Sequence, residues 1–227
     1  MTKYRNYKTS VHQERVENTY KKMLENQTIK YVKKMKHKYS KSKEYNIWDL
    51  IEKLDSILDE SDPDSDLPQI YHAYQTGESI KKKYLNQDTK IKSLFDQKEW
   101  DLLSDKYKNQ YNTNLKEFYH QIKDWEWLQL IGFIHDLGKV MILDEFGSLP
   151  QWSVVGDSFP VGQKLSSNYI FYNKNYHKNN SSLLLNTYSN NCGFDQVEFS
   201  WGHDEYLASS LERSNINLPK EAIYLVR

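Results

Sequence analysis

The sequence predicts an all-α fold, a helical bundle with short irregular or stranded connections. Three observations predict it. Apolar residues recur at helical spacing in successive segments of the chain. Alternating strand patterns are confined to short pieces near Gln151 to Val155 and Tyr169 to Tyr172. The most apolar stretch, Asp124 to Leu143, carries apolar residues on most of its circumference, as a helix at the centre of an all-α domain does.

The elements follow in chain order. Between Val11 and Tyr39, residues Val16, Tyr20, Met23, Tyr31, Val32 and Met35 recur near helical spacing among many lysines. From Asn46 to Asp59, residues Ile47, Leu50, Ile51, Leu54, Ile57 and Leu58 form an apolar stripe, with Asn46 as its N-cap. The acidic segment Asp59 to Pro68 breaks that helix, and its two prolines fix it as a structured loop. The next helix runs from Ile70 to about Tyr84 and carries His72. Leu85 to Lys123 is charged and weakly periodic, and reads either as surface helices or as an insertion. After the apolar helix, Asp144 to Gly162 is punctuated by glycine and proline and reads as irregular or short-stranded. Ser166 to Ser200, rich in Asn, Ser and Tyr, reads as a long loop. Gly202 to Arg213 is a short helix, and Pro219 opens a final one from the favoured first-turn position.

Composition bounds the function. The 227 residues include 31 Lys+Arg and 31 Asp+Glu. A globally basic nucleic-acid binder needs a cationic surplus that this balance lacks. The mean hydropathy of -0.86 and the lack of a long apolar run speak against a membrane span. The start, MTKYRNYKTS, carries no secretory signal. Cys192 can form no internal disulfide and no zinc site alone. The expectation is a soluble, cytoplasmic globular protein with a single domain over residues 1–227.

Seven histidines carry the chemical question. His12, His37, His120 and His177 lie in polar contexts and read as surface residues. His135 lies in LIGFIHDLGK, inside the most apolar segment, directly before Asp136. A charged aspartate in such surroundings is costly unless paired or metal-bound. Asp136 could bridge two ions with its two oxygens; the alternative is a buried His–Asp pair satisfied by hydrogen bonds. Lys139 adds a cation one helical turn beyond His135, a place that makes sense beside a metal if it faces substrate or solvent. His72 in IYHAYQT and His203 in SWGHDEY each read alone as structural histidines. Together, three histidines and an aspartate form the set expected of a nitrogen- and oxygen-bound transition metal. The lack of thiolates disfavours structural zinc.

The segments DESDPDSDLPQIYHAYQTGE, LIGFIHDLGKV, FGSLPQWSVVGDSFPVG and SWGHDEY occur in this order, with YRNY at Tyr4 to Tyr7 and NLPKEAIYLVR at the end. They resemble the myo-inositol oxygenase family, an α-helical branch of the HD-domain superfamily, over almost the whole chain apart from Leu85 to Lys123 and the Asn-rich loop. The resemblance implies an HD-domain-like bundle and a di-iron oxygenase that uses O2 to cleave the ring of myo-inositol to D-glucuronate, the first step of inositol catabolism. It implies that His72, His135, Asp136 and His203 are iron ligands, with Asp136 bridging two ions. It also implies that Arg5, Asp59, Asp62, Lys139, Gly156 and Asp157 hold the cyclitol, with no catalytic residue beyond the metal ligands. Such residues suit a neutral polyol, whose hydroxyls donate to carboxylates and accept from Lys and Arg. Gly156 would let backbone approach closely beside the acceptor Asp157. Read alone, Asp59 and Asp62 form a helix-ending acidic turn. Tyr71, Tyr74 and Trp152 are expected to pack around the site, and Cys192 to be a bystander. The implied partners are a small cyclitol and O2, with no nucleic acid, no membrane and a monomeric state.

Two departures from the family pattern accompany the resemblance. The interval between His72 and His135 is longer than in the family, and residues 85–123 account for the excess as an insertion. Arg227 falls inside a helix without a C-cap. The family pattern continues there with a histidine and serine, then an aspartate and lysine, so four of six ligands remain. The expectation is a C-terminally incomplete catalytic domain, weakly metal-binding and impaired. Two competing readings stand beside it. One is a metal-dependent phosphohydrolase of the HD superfamily, whose phosphate substrate Asp59, Asp62 and Asp157 would repel. The other is an inactive truncated homologue acting only as a binding module.

Overall fold

The computed structural model describes residues 10–41, 44–85, 126–172, 188–193, 196–214 and 216–227. Arg5 and the YRNY segment, His120, His177, residues 86–123 of the expected insertion and residues 173–187 of the expected long loop lie outside the described residues. Seven α-helices frame the described chain: α1 (Gln13–Asn26), α2 (Ile29–Lys38), α3 (Ile47–Lys53), α4 (Gln69–Ile80), α5 (Glu126–Ile134), α6 (His203–Arg213) and α7 (Lys220–Val226). Among the described residues the β-pairing is one isolated antiparallel bridge, Pro160 with Phe199. The all-α class is therefore right, and the expected short strands are not. Gln151–Ser153 is a 3-10 turn, and the Tyr169 to Tyr172 piece is a turn closed by Tyr172 N donating to Tyr169 O at 3.1 Å. Burial, not strand pairing, accounts for the apolar residues of both pieces.

The periodic stretch from Val11 to Tyr39 divides into α1 and α2 at Gln27. This residue is extended and fully buried. Its side-chain amide donates to Trp201 O at 2.6 Å, and its side-chain carbonyl accepts from Trp201 N at 3.0 Å. The chain leaves the helix because Gln27 satisfies a buried peptide 174 residues away, and Thr28 then caps α2 by accepting from Tyr31 N at 3.1 Å. Asn46 caps α3 as expected, accepting from Trp48 N at 2.9 Å. That helix tightens into a 3-10 turn at Leu54–Ser56 and stops before Asp59, because Ile57 O instead accepts the first amide of α4, from Gln69 N at 2.9 Å. The acidic loop folds through its own side chains: Asp59 Oδ1 accepts from Ser61 N at 2.8 Å and Ser61 Oγ at 2.6 Å, and Asp62 Oδ1 from Asp64 N at 2.7 Å. Pro219 sits one place before α7 rather than in its first turn.

Two apolar clusters make the core. The first joins α1 and α2 to Met141, the residues between Leu149 and Leu165, and Trp201. The second joins α3 to α7 around Ile131, Ile134, Leu137 and Val140. The 3-10 segment Leu137–Ile142 runs between them, giving Met141 to the first cluster and Leu137 and Val140 to the second. The histidines of interest gather at this seam.

Candidate metal centre

The segment Asp124 to Leu143 is not one helix. α5 ends at Ile134, and the chain tightens into the 3-10 segment after Asp136, whose φ of -90° and ψ of 0° lie in the bridge region. This junction swings the Asp136 carboxylate inward, where the residue is 2% exposed. Gly138 then lets α6 press onto the turn: a Cβ here would stand 1.9 Å from the carbonyl oxygen of His203. Helix continuity gives way to this contact, which brings His203 from α6 against Asp136 from the α5 junction.

Asp136 is the hub. His203 Nε2 lies 2.9 Å from its Oδ1, His135 Nε2 lies 3.7 Å from the same oxygen, and His72 Nε2 lies 3.7 Å from Oδ2. The candidate ligand atoms of His72, His135 and Asp136 all fall within 4.8 Å of one another. His135 Nδ1 donates to Gly132 O at 2.7 Å, and His203 Nδ1 donates to Val154 O at 2.6 Å. An imidazole whose Nδ1–H is spent on a backbone carbonyl presents Nε2 inward with its orientation fixed, as metal-binding histidines do. The His72 side chain is 45% exposed, so the cluster is reached from solvent on that side. The donor set of imidazole nitrogens and carboxylate oxygens fits a divalent transition metal.

Lys139 occupies the other side. Its Nζ donates to Asp59 Oδ2 at 2.7 Å, Gln69 Oε1 at 2.7 Å and Asp136 Oδ2 at 2.9 Å. It is only 7% exposed, so in the metal-free chain it bridges two carboxylates rather than facing solvent. Burial alone would raise the Asp136 carboxyl, but Lys139 and the hydrogen bond from His203 hold it well below the usual carboxylate range. Burial would likewise raise Asp59, and Lys139 keeps it low. Burial works to lower the Lys139 ammonium, and Asp136 with Asp59 push it up instead. The histidines diverge. Burial lowers His135 against the pull of Asp136. For His203, burial is outweighed by its hydrogen bond to Asp136, and its basicity rises. Both ring nitrogens of His203 face acceptors, an arrangement that favours the doubly protonated ring in line with its raised basicity.

Residues 13–108 and 86–227 match the family model for myo-inositol oxygenase. The chain belongs to the myo-inositol oxygenase family. It is 36% identical to a probable inositol oxygenase of Oryza sativa subsp. japonica, over 99% of this chain and 63% of the rice protein. It is 35% identical to an inositol oxygenase of Dictyostelium discoideum, over 99% of this chain and 66% of that protein. A third relative, an inositol oxygenase of Danio rerio, is 34% identical over 100% of this chain and 69% of its own length. The chain thus spans a little under two thirds of the rice relative.

For a member of the myo-inositol oxygenase family, the four expected ligand residues come together from three helical elements. Among the expected cyclitol contacts, Asp59 and Lys139 meet directly. Gly156 lies against the His203 ring, where a Cβ would stand 2.5 Å from Cε1. Asp157 accepts from the Tyr20 hydroxyl. Asp62 turns to its own loop, its Oδ1 accepting from Asp64 N and its carbonyl from Arg15. Of the aromatics expected around the site, Trp152 packs on Tyr31 at 5.2 Å between ring centroids, in the first apolar cluster. Tyr71 and Tyr74 are 51% and 55% exposed, yet Tyr74 packs on Phe133 at 4.9 Å between ring centroids. Cys192 is a free, half-buried thiol, and among the described residues no helix is long and apolar enough to cross a membrane. Sequence reasoning missed Gln69, which stands three residues before His72 and so shares its helical face. It also missed the carbonyls of Gly132 and Val154, which no side-chain pattern announces.

Proposed function

We propose that this chain is an inositol oxygenase that uses O2 to cleave myo-inositol to D-glucuronate, with iron at the Asp136 centre. The observation that carries this reading is one buried carboxylate faced by three histidines and tied through Lys139 to Asp59, in a chain of this family. His72, His135, Asp136 and His203 would hold the iron, a set without thiolate. The two oxygens of Asp136 have different histidine neighbours, which suits a carboxylate shared by two ions. Bound iron would supply the redox chemistry that couples O2 reduction to carbon–carbon cleavage.

The remaining residues hold the polyol. The Lys139 ammonium would reach a substrate oxygen by releasing one of its three acceptors, Asp59, Gln69 or Asp136, and the carboxylates of Asp59 and Asp157 would accept from hydroxyls. Gly156, with no side chain, lets the backbone lie directly against the His203 ring. Burial of Lys139 and Asp136 at the seam between two apolar clusters lowers the local dielectric there and strengthens their contacts. Lys139 is already neutralised by Asp59 and Asp136, so a neutral polyol fits and a phosphate ester is repelled.

Loading the chain anaerobically with ferrous iron, adding myo-inositol and admitting O2 tests this reading. O2 uptake matched by D-glucuronate supports this reading, and at full strength it overturns the expectation of an impaired chain. Phosphate release from a panel of monoesters and nucleotides, without O2 uptake, would favour the phosphohydrolase. Iron retention without turnover of either kind would favour an inactive binding module.

Two further outcomes are expected. Metal must displace the Nε2 proton of His203, so at pH 6 metal uptake releases about one proton from this residue. A metal titration in weak buffer should show His203→Gln releasing that proton no longer, and the wild-type release from His203 should fade as pH rises past its raised value. Gly156→Ala drives a methyl into the His203 ring, so metal affinity is expected to fall about 10–100-fold, the range for disturbing what orients a ligand. Because the methyl meets a buried ring that Val154 O holds in place, thermal stability should fall as well. Isothermal titration with differential scanning calorimetry separates the two effects.

A further inference from the structure

Residues 154–161 fold back against residues 198–204. Phe159 N donates to Ser200 Oγ at 3.0 Å, Ser200 N to Phe159 O at 2.8 Å, and Val161 N to Glu198 O at 2.9 Å. At the tip, Ser158 N donates to Gly156 O at 2.9 Å, closing a tight turn. A side-chain hydrogen bond ties this tip to α6: Ser158 Oγ donates to Asp204 Oδ2 at 2.6 Å. Asp204 lies in the first turn of α6, is buried, and its Oδ1 has no hydrogen-bond partner among the described residues. Burial pushes the Asp204 carboxyl up even though His203, the Ser158 hydroxyl and the Glu205 amide favour its charge, so an uncharged residue would pack there at less expense. Its position suggests what is gained. The turn it grips carries Val154, whose carbonyl receives His203 Nδ1 at 2.6 Å, and Gly156, which backs the His203 ring.

We infer that Ser158 and Asp204 form a latch that holds the 154–158 turn against His203 and so aims its Nε2 into the metal centre. Ser158 is then a positioning residue, acting through Val154 and Gly156 without touching metal or substrate. The inference rests on reading His203 as a metal ligand. Ser158 is exposed, but its hydroxyl serves buried Asp204, so circular dichroism must accompany its replacement. Without its hydroxyl the turn can slide, Val154 O loses its register with Nδ1, and the imidazole gains rotational freedom.

Cobalt(II), whose visible bands report coordination geometry, tests the latch on the full chain. Ser158→Ala is expected to weaken Co(II) binding about tenfold, the low end for losing a group that orients a ligand, and to change the visible spectrum. Ser158→Thr, which keeps the hydroxyl, should restore both. Asp204→Asn keeps an oxygen for Ser158 to donate to, and should lose less affinity than Ser158→Ala. It also serves if Ser158→Ala fails to fold by circular dichroism. Ser158→Ala with wild-type affinity and spectrum, beside an Asp136→Asn variant that no longer binds, overturns the latch and leaves the metal centre standing. A larger loss in Asp204→Asn than in Ser158→Ala also overturns it, since charge rather than position would then be the cause. Wild-type binding by Asp136→Asn removes the metal-centre reading, and the latch with it.

Discussion

Lys139→Met is expected to destabilise the metal-free chain by about 3–5 kcal/mol, the range for removing one partner of a buried ion pair. Methionine fills the same space, so packing is nearly conserved and the loss is electrostatic. It strands Asp59 and Asp136, whose low carboxyl values depend on Lys139. The pH dependence has a definite sign. Carboxyls depressed in the folded state stabilise it above their unfolded value of about 3.9, and that contribution fades as pH falls through the folded value. The raised Lys139 ammonium contributes fully below about 10.4 and loses its contribution as pH rises through the folded value. The gap between wild type and Lys139→Met should therefore be widest near neutral pH and close toward both extremes. Urea denaturation across pH measures it. Metal should narrow the gap as well, because a bound cation compensates Asp136 in place of the lysine. At 100 times its dissociation constant, a ligand specific for the folded state adds about 2.7 kcal/mol.

Asp136→Asn is expected to do the reverse. The amide keeps the shape, but its single oxygen can accept from Lys139 or His203 and not both. Lys139 keeps Asp59 as its counter-charge, so metal-free stability should fall by about 1–3 kcal/mol, the cost of leaving one buried donor without its acceptor. Metal affinity, by contrast, should fall more than the roughly 10–100-fold seen when only a supporting group is removed, since the variant takes away the anionic hub itself. Any ring cleavage of myo-inositol should vanish with the metal. Lys139→Met thus loses stability and Asp136→Asn loses metal, a crossed pair that a purely structural His–Asp–Lys network would not give. In such a network both variants would simply be less stable.

The helices were legible because their apolar residues repeat at the α period, and Asn46 because a cap is a local device. The interruptions were not. Gln27 ends α1 to serve a peptide far away in sequence, and α5 yields at His135–Asp136 because α6 presses on Gly138; neither cause lies within the local window that periodicity reads. Much of the candidate site was legible for the opposite reason. An aspartate beside a histidine in an apolar segment stands out, since burial there needs a partner. The supporting parts were hidden where they are backbone carbonyls, as at Gly132 and Val154, or short polar side chains such as Ser158, whose side-chain hydrogen bond depends on how residues 154–161 fold against 198–204. Lys139 was expected one helical turn beyond His135 and facing substrate or solvent, but the helix ends before it and two buried carboxylates, Asp59 and Asp136, hold its charge instead.

Ferrous iron retained after anaerobic equilibrium dialysis, measured on the 227-residue chain and on its Asp136→Asn variant, tests the metal centre most directly. The expected result is iron held by the wild-type chain and lost from the variant, with both folded by circular dichroism. Equal retention by the two, or none by either, would contradict a metal centre built on Asp136.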